Sequence, residues 1–208
     1  MTVPGFDPET GVARAPIEEL ESLLAHCDEL SRDSTEPRLA AAMEAAARPR
    51  CRLEVQRGGL KATCWVDPRA AALLVPREAG QGELGALEAG AVPAVLAGIL
   101  GLGPRPPARA EARLPAAILA ALLAGVGGQV LGHAPIDPWL HGALTSATTH
   151  WRVDSRWAGE QPPVVRSVEV IDSVQGLWLV TPDESDAVLV PAVTSELWRR
   201  LAGLFPRA

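Results

Sequence analysis

The sequence predicts an α+β fold in which two similar halves share one sheet about a pseudo-twofold axis. Two observations lead to this prediction. Residues 51–66 alternate apolar and polar side chains around a glycine turn, as the strands of an antiparallel hairpin do. The chain also resembles itself after a shift of 105 residues, and each half then reads helix, strand, strand, turn at Asp, strand, helix.

The composition indicates a folded chain that does not bind nucleic acid. At 48% hydrophobic and 21% charged residues, the 208-residue chain can bury a core and is not disordered overall. Its formal charge is −6, whereas a general nucleic-acid binder needs a basic face that displaces counterions. The length suits one large domain or two small ones.

Cysteine usage and the apolar stretches predict a cytoplasmic protein without membrane insertion. The three cysteines stand at unrelated spacings and predict reduced core residues, not a disulfide framework or a zinc ribbon. The first eleven residues lack the basic and apolar regions of a signal peptide. The most apolar stretch, residues 114–131, is rich in Ala and Gly, which favours a buried helix over a membrane span.

The first half is expected over residues 16–103, after a flexible tail at 1–15. Pro16 precedes apolar residues at helical spacing from Ile17 to Leu30, with acidic side chains in the first turn. The remaining predicted elements are a helix over 37–48, strands over 51–56, 60–66 and 71–75, and a helix over 84–100 that is interrupted near Pro93.

The hairpin over 51–66 specifies its own register. Gly58-Gly59 supplies the two-residue turn, and pairing across it places Leu53 opposite Cys64 and Val55 opposite Ala62 on one apolar face. The same register places Arg52 opposite Trp65 on the other face. One register satisfies both faces, as a half-buried antiparallel sheet requires.

A Pro- and Arg-rich linker over 104–113 precedes the second half, residues 114–208, and the two halves are expected to form one combined domain. Helices are predicted over 114–131 and from Asp137 to about 148. Strands are predicted over 151–157, 164–171, 177–180 and 187–190. A final helix follows Thr194 or Ser195 as its cap, and its predicted buried stripe is Leu197, Trp198, Leu201, Leu204 and Phe205.

The evidence for an internal repeat is the shared order of the predicted elements more than the number of identical residues. Residues 61–100 and 166–205 share seven identities in 40 positions, among them Asp67 with Asp172, where composition alone gives roughly three. The predicted elements follow one another in the same order without a gap. This favours a structural duplication, and the alternative is two similar α+β units that arose by chance.

No pattern in the sequence predicts a catalytic, cofactor or metal site. The glycines at 125, 127, 128 and 132 lack the spacing of a dinucleotide loop. The four histidines form no ligand pair at helical spacing, and no serine stands in a nucleophile elbow. Asp67 and Asp172 recur in both halves, yet an aspartate before a strand-to-strand turn is usually an Asx turn rather than one of two catalytic carboxylates. The chain is therefore not expected to be an enzyme.

The candidate partner-binding residues lie at the tips of two hairpins. Trp157 closes a strand before an elongated loop that contains Gln161, Pro162 and Pro163, and an apolar anchor beside such a loop suits a protein contact. The corresponding turn of the first half consists of Gly58, Gly59 and Leu60. In the alternative, Trp157 folds back on the sheet and only stabilises the loop.

The C-terminal half resembles a known family. Its segments are Trp151-Arg152-Val153-Asp154, Val168-Glu169-Val170-Ile171-Asp172, Gly176-Leu177-Trp178-Leu179-Val180 and Arg199-Arg200-Leu201. They resemble the EspG family, the cytosolic chaperones of type VII (ESX) secretion in actinobacteria, over roughly residues 50–208. The resemblance implies a quasi-twofold fold with a central antiparallel sheet flanked by helical bundles. It also implies a chaperone that binds the helical tip of PE–PPE substrate pairs.

Two other functions stay open from the sequence. One is a non-chaperone interaction module or structural subunit of a secretion or phage-like machine. The other is a small-ligand-binding α+β protein or enzyme with a cavity between sheet and helices. The expected partner is a helical protein, PE–PPE-like or another helical hairpin, and the chain itself is expected to be a monomer or a homodimer.

Overall fold

A computed structural model describes residues 5–28, 36–132, 136–146, 149–159, 165–183 and 185–205. One eleven-stranded sheet runs through the molecule, and helices pack on both of its faces. Each ladder between its strands is antiparallel. The predicted α+β class, with a large antiparallel sheet, is confirmed.

The bounds of the strands are, in chain order, β1 Phe6–Asp7, β2 Val12–Pro16, β3 Cys51–Arg57, β4 Leu60–Val66, β5 Ala70–Pro76, β6 Gln81–Glu88, β7 Ala112–Pro115, β8 Thr149–Trp157, β9 Val165–Ser173, β10 Gly176–Pro182 and β11 Asp186–Ala192. The α-helices of the described residues are α1 Ile17–Ala25, α2 Pro37–Ala47, α3 Val92–Leu100, α4 Ala116–Leu123, α5 Gly127–Leu131, α6 Pro138–Thr145 and α7 Thr194–Ala202. Short 3₁₀ turns precede β6 and α3.

Apart from the edge strand β1, which has no counterpart, the strand order is the same when it is read from either side towards the centre. From one side it is β2-β6-β5-β4-β3, and from the other it is β7-β11-β10-β9-β8. The two series meet where β3 pairs with β8, and Val55 lies opposite Val153 near the middle of that ladder. The correspondence in order agrees with the expected duplication. That the two halves superpose stays a prediction.

Three apolar clusters hold the layers together. The central cluster joins β3, β4, β8 and β9 to α3 and α7 on one face of the sheet. On the opposite face, α1 and α2 cover the first half, and α4, α5 and α6 cover the second. Leu177 and Trp178 show how alternate residues of one strand divide between the faces, since Leu177 joins the central cluster and Trp178 the one beneath α4.

The hairpin prediction is confirmed residue by residue. β3 and β4 pair with Leu53 opposite Cys64, Val55 opposite Ala62 and Arg52 opposite Trp65. Both glycines of its turn have positive φ, 51° and 91°, a conformation that residues with a Cβ rarely adopt. All three cysteines are buried and unpaired, as predicted.

Residues 1–15 were expected to be a flexible tail, but those of them that the structure describes lie in the sheet. β2 pairs with β6 from Val12 opposite Gly85 to Pro16 opposite Gln81. Glu83 accepts hydrogen bonds from Arg14 and Arg77, which ties the two strands together. The sequence signal is weak because this five-residue strand, Val-Ala-Arg-Ala-Pro, gains its stability from a partner about seventy residues away.

Two predicted helices are shorter than expected, because strands precede them. Residues 81–88 form β6, in which Gly82, Leu84 and Ala86 are buried in alternation, and Pro93 begins α3 instead of interrupting a longer helix. In the same way β7 replaces the first turn of the helix that was predicted over 114–131. The rest of that helix divides into α4 and α5 at Gly125, whose φ is 80°.

Candidate partner-binding groove

Trp157 stands at the end of β8 and is folded back onto the protein. It pairs with Cys51 across the centre of the sheet, and its half-buried ring packs against the central cluster. The indole N–H lies within hydrogen-bond distance of two acceptors, since Nε1 is 2.8 Å from both the carbonyl oxygen of Leu204 and the hydroxyl oxygen of Ser155. The guanidinium carbon of Arg166 lies 3.7 Å from the ring centroid, a cation–π contact.

This geometry favours the interpretation in which Trp157 folds back on the sheet over the one in which it anchors a partner protein. The side chain fixes the turn that follows α7, so its main role is structural, and it offers a partner only part of its surface. Gln161, Pro162 and Pro163, the other candidates of this loop, lie outside the described residues. Their part in binding stays a prediction.

The two sets of candidate residues do not come together. Because Cys51 pairs with Trp157 and Arg57 pairs with Trp151, Gly58, Gly59 and Leu60 follow the opposite end of β3. Seven strand residues separate the two ends, about 20 Å at 3.3 Å per residue. Gly59 also donates its N–H to the carbonyl of Leu123, so the turn is partly covered by the end of α4. One compact contact site therefore cannot include both hairpin tips.

Beside Trp157 lies a pocket of about 680 Å³, which we call the Trp157 pocket. Its walls come from the turn before β3, the end of β8 and the last turn of α7. The lining residues include Arg50, Trp157, Ala158, Arg199, Ala202 and Phe205. Arg50 and Arg199 have no ion-pair partner among the described residues, in a chain whose formal charge is −6. The pocket thus combines aromatic surface with uncompensated positive charge.

A second pocket, of about 350 Å³, continues from the first across Arg50, Ala202 and Phe205. We call it the Pro93 pocket, since the start of α3 forms its far wall. Most of its remaining lining is apolar or glycine, with one carboxylate: Val66, Asp67, Pro68, Ala89, Gly90 and Pro93. Together the two pockets form one groove between α7 and the turn that leads into α3, and this groove is the candidate partner-binding site.

Trp198 adds an exposed apolar side chain beside the groove. The sequence predicted it in the buried stripe of the last helix, but 38% of its surface is exposed, whereas Leu197 and Leu201 are buried. The helix turns by about 100° per residue, so the neighbours Leu197 and Trp198 cannot both face the sheet. Trp198 stands one turn before Ala202 on α7, although it lines neither pocket itself.

The open part of the opposite sheet face is polar and internally paired. Arg152 donates to Asp154 and lies 3.7 Å from Glu169, and Glu169 is 2.8 Å from the buried ring of His150. These charges largely satisfy one another. The surface therefore gains less from a covering partner than the apolar groove does.

Within the part of the chain that the structure describes, no group of side chains suggests catalysis or metal binding. Asp67 accepts the N–H of Arg69, the predicted Asx turn, while Asp172 is buried and paired with Arg105. Burial raises the pKa of Asp172, and the nearby Arg105 guanidinium opposes this shift. Among the described residues, no three of His, Cys, Asp and Glu cluster as metal ligands would, and no helix is long and apolar enough to span a membrane.

Sequence reasoning found Trp157 but missed the rest of the groove. Arg50, Pro93, Arg199 and Ala202 belong to segments up to about 150 residues apart, and no local motif marks them as one site. Their one available signal was the internal repeat, which places the end of the last helix near the centre of the shared sheet.

Comparison with known proteins gives a fold and no sequence family. No protein-family model matches the chain, and no curated protein sequence matches it. Among solved structures, the chain is similar to the type VII secretion system chaperone EspG5 of Mycobacterium tuberculosis, solved in complex with the PE25–PPE41 dimer. The TM-score is 0.56 at 11% sequence identity, over 93% of this chain and 95% of that chain. The chain therefore has an EspG-like fold over nearly its whole length.

Proposed function

We propose that this protein is a cytosolic chaperone or adaptor that binds a helical secretion substrate of a type VII-like system. The observation that carries the proposal is the fold, which follows that of a chaperone solved with its PE–PPE client over 93% of this chain. A holdase needs a rigid scaffold, an exposed apolar surface and enough net charge to remain soluble. The eleven-stranded sheet, the groove and the charge of −6 meet these needs.

The groove beside α7 is the proposed contact surface. Trp157, Phe205 and Ala202 offer it apolar area, and Trp198 extends this area along the helix. Arg199 and Arg50 complement an acidic residue at the end of a client helix. A helical tip that places apolar side chains in the groove and a carboxylate beside Arg199 would bury both kinds of surface.

Co-expression with a PE–PPE-like helical pair tests the function. The pair alone is expected to be mostly insoluble, and this protein is expected to raise its soluble fraction severalfold and to co-purify with it. If the soluble fraction of every pair in a panel is unchanged, the chaperone function is wrong.

A matched pair of charge reversals tests the surface. Arg199→Glu places a carboxylate in the groove and is expected to lower client affinity about tenfold, as reversal at a charged interface does. Arg200→Glu is the control, because Arg200 pairs with Glu196 along the helix and does not line the groove. An equal loss from both variants, or no loss from either, would exclude the groove as the contact surface.

A further inference from the structure

β7 is the last strand at one end of the sheet, and no strand of the described residues pairs with its outer edge. Next to it, Ala116 donates its N–H to the carbonyl of Ser185. Antiparallel pairs alternate between bonded and unbonded positions, so Leu114 and Ala112 are the residues of β7 that bond to β11. The N–H and C=O of Arg113 therefore point away from β11, towards the open edge.

The residues on either side of Arg113 fit this assignment. Pro115 holds the next outward position, where its missing N–H costs no bond to β11. Glu111 holds the outward position before Arg113, directly ahead of the strand. A pocket of about 430 Å³ lies against the same edge, between residues 109–113 and the start of α6. The described residues therefore leave this edge accessible to another strand.

Glu111 and Arg113 place opposite charges on the same side of this edge, because side chains two residues apart in an extended chain face the same way. Arg113 lies 2.8 Å from Asp183 in an exposed ion pair, and Glu111 has no ion-pair partner among the described residues. An antiparallel strand that carries these two charges in the same chain order would place each charge opposite its complement. A second copy of β7 has that order.

One twofold register satisfies both the backbone and the charges. With the axis at Ala112, Glu111 of each copy lies opposite Arg113 of the other, and the two residues exchange N–H and C=O groups as a bonded antiparallel pair does. The same register joins two pairs of opposite charge. An axis at Glu111 or at Arg113 would instead place like charges opposite each other, which destabilises a sheet.

The remaining twofold registers lose backbone hydrogen bonds. An axis at Leu114 or at Pro115 relies on Pro115, which has no N–H to donate. An axis at Ala110 needs residue 109 to be extended, but residues 109 and 110 form a bend, and the carbonyl of Ala110 accepts from the indole of Trp178. Charges and a proline commonly protect a sheet edge from pairing. Here they disfavour every twofold register except the one at Ala112.

We propose that this protein forms a homodimer in which the β7 strands of two copies pair antiparallel about an axis at Ala112. The two sheets then continue into one another, and Glu111 of each copy pairs with Arg113 of the other. The proposal does not depend on the chaperone function. A strand of a different protein is the alternative occupant of the edge, and it predicts that the isolated chain is a monomer.

Charge reversals test the register. Sedimentation equilibrium of the full chain at micromolar concentration is expected to give twice the mass of one chain. Glu111→Arg and Arg113→Glu each place like charges opposite each other, and each is expected to weaken dimerisation at least about tenfold. The double variant restores opposite charges and is expected to restore the dimer.

Arg109→Glu is the matched control, because the register at Ala112 places residue 109 opposite Pro115 and no charge faces it. This variant is expected to dimerise as the wild type does, and circular dichroism checks that every variant is folded. A monomeric wild type, a single variant at 111 or 113 that dimerises normally, or a folded double variant that stays monomeric would overturn the proposal.

Hydrogen exchange measured by NMR tests the location of the contact. The amide of Arg113 is expected to exchange at least about tenfold more slowly in the wild type than in Glu111→Arg, because only the dimer gives it an acceptor. The amide of Leu114, which bonds to β11, serves as the internal control and should be protected in both proteins. A dimer in which the Arg113 amide exchanges equally fast in both proteins would have its interface elsewhere, and the proposal would be wrong.

Discussion

The indole nitrogen of Trp157 lies 2.8 Å from the carbonyl oxygen of Leu204, and this contact fastens the end of α7 to the end of β8. The first half has a similar device, in which the guanidinium of Arg57 at the end of β3 donates to the carbonyl of Ile99 at 2.5 Å. In each half, the last helix is thus held by a donor from the first strand of the central hairpin. Carbonyls near a helix C-terminus lack partners within the helix, and these donors help to satisfy them. The Leu204 carbonyl also accepts a hydrogen bond from the Ser155 hydroxyl.

Trp157→Phe removes the donor and keeps most of the apolar ring. We expect the free energy of unfolding to fall by about 0.5–1.5 kcal/mol, because the Leu204 carbonyl loses one hydrogen bond and keeps the one from the Ser155 hydroxyl. Urea denaturation measures the change. Trp198→Phe is the control, since that ring is 38% exposed, and its stability should match the wild type. Equal stability of all three proteins would show that the indole N–H does not hold the helix end.

Leu197 and Trp198 are neighbours on α7, but Leu197 is buried and Trp198 is partly exposed. Alanine substitutions at the two positions therefore compare the loss of core packing with the loss of an exposed side chain. Leu197→Ala empties a fully buried site in the central cluster and is expected to cost about 2–5 kcal/mol. Trp198→Ala removes a larger but exposed side chain and is expected to cost less than about 1 kcal/mol. A larger loss for Trp198→Ala than for Leu197→Ala, again in urea denaturation, would mean that the helix faces the sheet differently.

Ionisation of Glu83 makes the free energy of unfolding depend on pH in the acidic range. Hydrogen bonds from Arg14 and Arg77 hold the pKa of its carboxyl below the usual range. A carboxyl with a lower pKa in the folded than in the unfolded state stabilises the fold above its unfolded pKa, and this contribution disappears as the pH falls through the folded pKa. Since both arginines are more than half exposed, the contribution is at most about 1 kcal/mol.

Unfolding of Glu83→Gln at a series of pH values measures this contribution. The variant is expected to be less stable than the wild type at pH 7, and the two should converge towards pH 3. Glu78→Gln, which alters an exposed carboxylate of the preceding turn, is the control. A difference between wild type and Glu83→Gln that stays constant over this range would show that ionisation of Glu83 does not stabilise the pairing of β2 with β6.

The buried thiols are expected to be unreactive in the folded protein. Burial raises the pKa of Cys64 to about 12 and also raises the pKa values of Cys51 and Cys27. Only the thiolate is nucleophilic. Alkylation by iodoacetamide at pH 8 should therefore occur only after the protein unfolds, and it should then modify all three cysteines together. Mass spectrometry over time measures this. Rapid modification of Cys64 in the native protein would contradict its place in the core.

The central hairpin of the sheet could be predicted from local sequence patterns. The outer strands could not, because pairing between segments that are distant in the chain determines them. The register of β3 and β4 could be read from the sequence because a glycine turn and two alternating faces constrain it independently. β6 could not, since Gly82, Leu84 and Ala86 also suit the start of a helix, and only pairing with β2 and β5 decides between the two. The candidate groove is harder still, because segments that are distant in the chain create it.

The duplication itself can be tested with the first half alone. β3 pairs with β8 at the centre of the sheet, so a chain of residues 1–103 would expose the β3 edge and the surface of the central cluster. If the halves are equivalent, a second copy can take the place of the second half, and the fragment is expected to form a homodimer through β3. Analytical ultracentrifugation measures its mass. The Glu54→Pro variant removes a backbone donor from the middle of β3 on the side that faces β8 in the full chain, and is expected to prevent association. A fragment that is folded and monomeric, or a dimer that Glu54→Pro leaves intact, would contradict the predicted equivalence of the two halves.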